Sequence, residues 1–128
     1  MDYITGNNQR ILFVDDEDML VDIGVCLLED LGYNVEGKTS ALEALEIFRN
    51  DSTGFDLVIS DINMPEMRGD KFIEEIRKIN SDIPVLLSTG FDNCLTNEKE
   101  LGVSATLQKP VTMEKFALVL GKIFNIKT

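Results

Sequence analysis

The chain predicts an α/β fold, a doubly wound parallel sheet of five strands covered by five helices. Three observations carry that prediction. Short, wholly apolar runs recur along the chain, the pattern of strands covered on both faces. Between them apolar residues repeat at helical spacing. The connections are short, which favours helices that return the chain to a parallel neighbour by right-handed crossovers.

After a polar lead over residues 1–8, Ile11-Leu12-Phe13-Val14 reads as the first strand and ends at Asp15. Leu20, Ile23, Leu27, Leu28 and Leu31 then recur at helical spacing up to Gly32, which is placed to stop a helix. A second strand follows over Tyr33–Glu36. Ser40, with Glu43 in the third position after it, makes a capping-box pattern, and Ala41, Ala44, Leu45 and Phe48 give the second helix one apolar face. Residues 51–54 read as a turn. The third strand, Phe55–Ser60, leads into Asp61 and a loop around Pro65, after which Phe72, Ile76 and Ile79 mark the third helix. Pro84–Ser88 makes the fourth strand. From Asp92 to Gly102, Leu95 and Leu101 stand among charged and polar residues, so a short, weakly anchored fourth helix is expected. Ala105–Gln108 is the fifth strand. The fifth helix starts near Thr112, with Phe116, Val119, Leu120, Ile123 and Phe124 on its apolar face.

A length of 128 residues suits one compact domain, expected here over residues 9–126. A hydrophobic fraction of 44% beside 27% charged residues is far from the profile of disorder. Lys and Arg number 12 against 23 Asp and Glu, and the net charge of -11 repels nucleic-acid phosphates and anionic membrane surfaces alike. No apolar run approaches the roughly 20 residues needed to span a bilayer. No positively charged leader precedes an apolar stretch, so the cytoplasm is the expected location. Two cysteines make neither a disulfide framework nor a zinc cluster; Cys26 is expected to pack in its helix and Cys94 to lie at the surface. Met64, Pro65 and Met67 read as loop packing. The chain has no histidine, which removes Ser-His and Cys-His catalysis, histidine-based metal sites and any role as a phosphohistidine donor.

In an open parallel sheet, ligands bind beyond the carboxyl ends of the strands, where strand order reverses. Those ends carry Asp15 and Asp16, Asp61, Thr89-Gly90 and Lys109. Singly, an Asp after a strand is ordinarily a turn former or a helix cap. Together, three clustered carboxylates repel one another and call for a cation. Magnesium suits such a site, because it is a hard ion that takes a few oxygen ligands plus waters and pairs with phosphoryl oxygens. A carboxylate can be the nucleophile in phosphoryl transfer when the charge on the transferred oxygens is neutralised. Asp61 is then placed to attack, Mg²⁺ and Lys109 to neutralise, and the Thr89 hydroxyl and Gly90 backbone N–H to donate to the phosphoryl group.

These residues resemble the receiver domain of bacterial two-component response regulators. The matches are Ile11-Leu12-Phe13-Val14-Asp15-Asp16-Glu17, Asp61-Ile62-Asn63-Met64-Pro65, Pro84-Val85-Leu86-Leu87-Ser88-Thr89-Gly90 and Lys109-Pro110. The resemblance implies a flavodoxin-like fold with sheet order 2-1-3-4-5 and a cis Lys109–Pro110 bond. Asp61 would be the phosphoacceptor. Mg²⁺ would be held by the side chains of Asp16 and Asp61, by the carbonyl of Asn63, and by Asp15 mainly through water. The implied phosphodonor is a histidine kinase or a histidine phosphotransfer domain. Output would pass through the fourth helix, fifth strand and fifth helix to an attached or separate protein. Residues 84–92 and 101–111 look most like receivers fused to hybrid sensor kinases, and homodimer formation stays open.

One position departs from the pattern: Thr106 stands where the family usually has an aromatic or histidine switch residue. Readout would then depend more on residues 89–92 and the fourth helix. Asn63 and Phe91 flank the phosphoacceptor and are candidates for setting the lifetime of the acyl phosphate. Two alternatives stand beside the receiver reading. One is a pseudo-receiver that keeps the fold for protein contacts alone. The other is a haloacid-dehalogenase-like phosphatase, which needs a second Asp two positions after the nucleophile, where this chain has Asn63.

Overall fold

The structure, a computed structural model, describes residues 5–89 and 102–124. In chain order the elements are β1 (Arg10–Val14), α1 (Asp18–Asp30), β2 (Asn34–Lys38), α2 (Ala41–Asn50), β3 (Leu57–Asp61), α3 (Gly69–Ile79), β4 (Val85–Thr89), β5 (Ala105–Gln108) and α4 (Met113–Ile123). The strands form one parallel sheet of order β2-β1-β3-β4-β5. Four helices lie among the described residues, and α4 is the one the sequence places fifth. The helix expected over residues 92–102 falls, apart from Gly102, outside the described residues.

The sheet separates two cores. Leu12, Val14, Val58, Val85 and Leu87 face α2 and α3, meeting Leu45, Phe48, Phe72 and Ile76. Ile11, Phe13, Leu57, Ile59 and Leu86 face α1 and α4, meeting Leu28, Phe116 and Leu120. Alternate residues of one strand thus serve opposite cores, which is why the central strands read as unbroken apolar runs. Burying Phe48 or Phe72 contributes roughly 1.5–3 kcal/mol each.

The expected caps form. Ser40 Oγ accepts from the Glu43 N–H at 3.2 Å, and Thr112 Oγ1 accepts from the Lys115 N–H at 3.1 Å. Gly32 ends the first helical stretch with φ +94, a backbone conformation that side-chain-bearing residues rarely adopt. The lead packs beside it: the Gly6 N–H donates to the Leu31 carbonyl at 2.6 Å and the Asn8 N–H to that of Gly32 at 2.8 Å. Tyr33 lies buried here against Phe124, ring centroids 5.6 Å apart, and its hydroxyl has no hydrogen-bond partner among the described residues. At the other side of the sheet the Arg77 guanidinium donates to the carbonyls of Ser81, Ile83 and Gly102.

Two expectations are corrected on α1. Its buried residues are Val21, Gly24 and Leu28, whereas Leu20 and Leu27 are half-buried and Ile23 is 48% exposed. Leu28 and Leu31 are buried as predicted, but the rest of the face is turned toward Val21 and Gly24, because the small Gly24 lets the helix settle onto the Phe13 ring. The same rotation leaves Cys26 exposed instead of packed. Met64 and Met67 pack into the core as expected.

Candidate functional site

Order β2-β1-β3 places α1 on one face and α3 on the other, so a crevice opens where β1 and β3 end side by side. Into it β1 delivers Asp15 and Asp16, β3 delivers Asp61, and the turn after β5 delivers Lys109. Parallel register sets their heights: Asp61 pairs with Ser88 and Thr89 with Gln108. The Lys109 N–H donates to the Thr89 carbonyl at 2.7 Å, carrying the β4–β5 ladder one step further. The Lys109–Pro110 bond is cis.

Asp15 and Asp61 are only 1% and 4% exposed, while Asp16 is open to solvent. One carboxylate oxygen from each of the three lies within 4.8 Å of the others. Lys109 Nζ sits 2.7 Å from Asp15 Oδ2 and 3.2 Å from Asp61 Oδ2, bridging the two buried groups. The remaining oxygens take backbone N–H groups, Asp15 Oδ1 from Glu17 at 3.1 Å and Asp61 Oδ1 from Asn63 at 3.4 Å.

Burial raises the pKa of Asp61 above the usual carboxylate range, with the charge of Asp15 adding to it and Lys109 working against it. Burial also favours the neutral amine of Lys109. The hydrogen bond to Asp15 and the charges of Asp15 and Asp61 outweigh that, and hold its pKa above the ordinary value. Three carboxylates against one ammonium leave the crevice net negative. Clustered hard oxygens with one solvent-facing member fit a small divalent cation that keeps part of its water.

Thr89 is buried at the end of β4, and Asn63 and Thr106 are exposed. Gly90 and Phe91 lie outside the described residues, so the expected donor at Gly90 has no geometry here. Two further residues fix the Asp61 backbone. Ser60 Oγ donates to the Asp61 carbonyl at 2.9 Å. Gly69, opening α3, donates its N–H to the Ile62 carbonyl at 2.8 Å, and a Cβ on it would stand 2.4 Å from the Asp61 carbonyl oxygen. A glycine inside the start of a helix, where it costs helix stability, is a sequence feature that hints at a close approach without saying to what.

A five-stranded 2-1-3-4-5 sheet with an acidic crevice at its order reversal and a lysine bridging two buried aspartates defines the class. The chain belongs to the response regulator receiver domain family, which it matches over residues 11–120. It is similar to the sensor kinase CckA of Brucella abortus (strain 2308), 35% identical over 122 residues that cover 94% of this chain and 13% of that protein. It is also similar to the transcriptional regulatory protein ZraR of Escherichia coli (strain K12), 36% identical over 121 residues, 93% of this chain and 27% of the other. The chain thus spans between 13% and 27% of the length of these relatives. Among solved structures, a response regulator receiver domain protein from Clostridium thermocellum aligns with TM-score 0.85 at 33% identity, covering 91% of this chain and 94% of that one. The receiver domain of the hybrid histidine kinase CckA aligns with TM-score 0.76 at 31% identity, covering 89% and 97%.

Proposed function

We propose that the domain accepts a phosphoryl group on Asp61 from a phosphohistidine donor, a histidine kinase or histidine phosphotransfer domain, and does so in the cytoplasm as one step of a two-component relay. The single observation that carries this reading is Lys109 reaching both Asp15 and Asp61 in an acidic crevice within 4.8 Å. An Asp61 oxygen attacks phosphorus, an O–P bond forms as the P–N bond breaks, and the imidazole nitrogen keeps the electron pair. Burial keeps Asp61 desolvated and more basic than an exposed carboxylate, which favours attack. Lys109 stays protonated beside it and is placed to exchange its Asp61 contact for a phosphoryl oxygen. Asp16, Asp61 and the carbonyl of Asn63, with Asp15 mainly through water, would hold Mg²⁺, which would supply further positive charge to the transferred oxygens. The Thr89 hydroxyl and Gly90 N–H are assigned as phosphoryl donors, and residues 9–126 as the folded unit. Signal leaves through the β5 and α4 side to an attached or separate output protein, without direct nucleic-acid or membrane contact.

The test is intact mass after incubation with Mg²⁺ and acetyl phosphate, for the native chain and Asp61→Asn, with and without chelator. One added phosphoryl group, dependent on both Mg²⁺ and Asp61, is expected. No addition, together with failure to bind beryllium fluoride, would sink the reading and leave an interaction scaffold.

A further inference from the structure

Lys109 follows β5, where its N–H donates to the Thr89 carbonyl, yet its ammonium lies 3.2 Å from Asp61 on β3 and 2.7 Å from Asp15 at the end of β1. β4 stands between β5 and β3 in the sheet, so the lysine stem has to cross β4 to reach its partners. Adjacent strands are about 4.8 Å apart, which makes that crossing a span of two strand spacings. The β4 residue at the height of Asp61 is Ser88, which pairs with it in register. Side chains alternate across a strand, and Leu86 packs with Ile59 in the core on the α1 and α4 side. Ser88 and Asp61 therefore share that face, and Ser88 lines the same space as Asp15 and Lys109.

Ser88 is only 5% exposed, and no described residue hydrogen-bonds to its hydroxyl. Ser60, by contrast, engages its hydroxyl with the Asp61 carbonyl. A buried hydroxyl without a partner costs stability, and this one stands on a face where Leu86 precedes it. The ammonium of Lys109 carries three N–H donors, and the two aspartate oxygens account for two. An acceptor without a donor and a cation with a donor to spare thus lie along one crossing.

We propose that Ser88 is a positioning residue for phosphoryl uptake at Asp61: its hydroxyl accepts an N–H from Lys109 as the ammonium turns from Asp61 to the phosphoryl oxygens, and holds that charge over the reacting group. This rests on the phosphoacceptor reading above. Before transfer, Asp15 and Asp61 fix the ammonium between them. Once an Asp61 oxygen is bonded to phosphorus, its charge passes to the phosphoryl group, and Asp15 alone would draw the ammonium back toward β1. An acceptor on β4 opposes that pull, because β4 lies on the side of β3 away from β1.

The test compares initial rates of acetyl phosphate uptake by the full chain in native protein, Ser88→Thr, Ser88→Val and Ser88→Ala, each over a Mg²⁺ titration. Threonine and valine share a shape and differ in the hydroxyl, so that pair separates hydrogen bonding from packing. Ser88→Val and Ser88→Ala should be slower by about tenfold, and Ser88→Thr should recover to within about threefold of native. The Mg²⁺ concentration giving half the maximal rate should stay within about twofold throughout, since Ser88 acts on the ammonium and not on the carboxylates. Equal rates for Ser88→Val and Ser88→Thr would overturn the proposal. So would a slow Ser88→Val whose Mg²⁺ requirement rises in step, the mark of a loosened β4. Should Ser88→Val fail to fold, Ser88→Ala against Ser88→Thr decides by the same rule. If the native chain itself takes up no phosphoryl group, the phosphoacceptor reading has failed and this role falls with it. Uptake by native protein with indifferent variants defeats the role alone.

Discussion

Replacing Gly69 with Ala tests how tightly the Asp61 backbone is held. The new Cβ would stand 2.4 Å from the Asp61 carbonyl oxygen and 2.8 Å from Ile62 Cα, and both are backbone atoms that no side-chain rotation can relieve. Ordinary contact begins at 3.4 Å, so the loop after β3 must retreat by about 1 Å. Overpacking of this kind costs about 1–3 kcal/mol. Alanine returns at most about 1 kcal/mol of helix propensity, and less at the first residue of α3. The expected net loss is about 1–2 kcal/mol, read as a lower midpoint in urea denaturation. The larger effect falls on function, because a displacement of about 1 Å at a reacting group can lower its rate by about 10²-fold. The assay is the initial rate of phosphoryl incorporation from acetyl phosphate with Mg²⁺, with Arg68→Ala on the exposed neighbouring residue as control. A Gly69→Ala chain that keeps its rate within about threefold and its urea midpoint unchanged would refute the claim that this contact positions Asp61.

Three further outcomes are expected. Lys109→Met leaves Asp15 and Asp61 buried without their shared cation, and should cost about 2 kcal/mol and abolish phosphoryl incorporation, with Mg²⁺ restoring part of the stability but not the incorporation. Calorimetry with and without Mg²⁺ checks it. Tyr33→Phe removes a buried, unpartnered hydroxyl and should raise stability by about 1 kcal/mol at neutral pH. Burial pushes the Tyr33 phenol up to about 12, so the folded state keeps a proton that the unfolded chain releases near 10. Native stability therefore falls between about pH 10 and 12 by about 2 kcal/mol more than in Tyr33→Phe, and urea titrations across that window that run parallel would contradict it. Arg77→Ala loses donors to the carbonyls of Ser81, Ile83 and Gly102 and should cost about 2 kcal/mol, with faster amide exchange at residues bonded across that end of the sheet.

The central strands were legible because burial on both faces writes an unbroken apolar run, as in Ile11–Val14, and α2 because Ser40 and Glu43 announce their own cap. Strand ends were less so. The third and fourth strands run one residue beyond their predicted ends at Ser60 and Ser88, to Asp61 and Thr89, because the backbone of a site residue stays in the ladder whatever its side chain does. On α1 the stripe of Leu20, Ile23, Leu27, Leu28 and Leu31 was right for Leu28 and Leu31 but missed Val21 and Gly24, since 20/23/27 and 21/24/28 are both helical stripes and periodicity favours the larger residues. The choice was made by the fit of Gly24 against Phe13, a contact between separate elements. Asp15, Asp16, Asp61 and Lys109 were legible as a set, because topology brings strand ends together before any side chain is placed. The roles of Ser60 and Gly69 were not, since each depends on where the chain returns after Asp61.

The two outermost strands of the sheet, β2 and β5, each present a row of backbone groups on one side with no neighbouring strand among the described residues. Such rows invite strands from other molecules. Here the invitation is withdrawn at both. β2 carries Glu36 and Lys38 along its length and Gly37 between them, while β5 spans only four residues before Lys109 and Pro110 end it. The domain is thereby kept from assembling sheet to sheet, and Lys109, the residue that bridges Asp15 and Asp61, stands at the end of the strand that needs this protection.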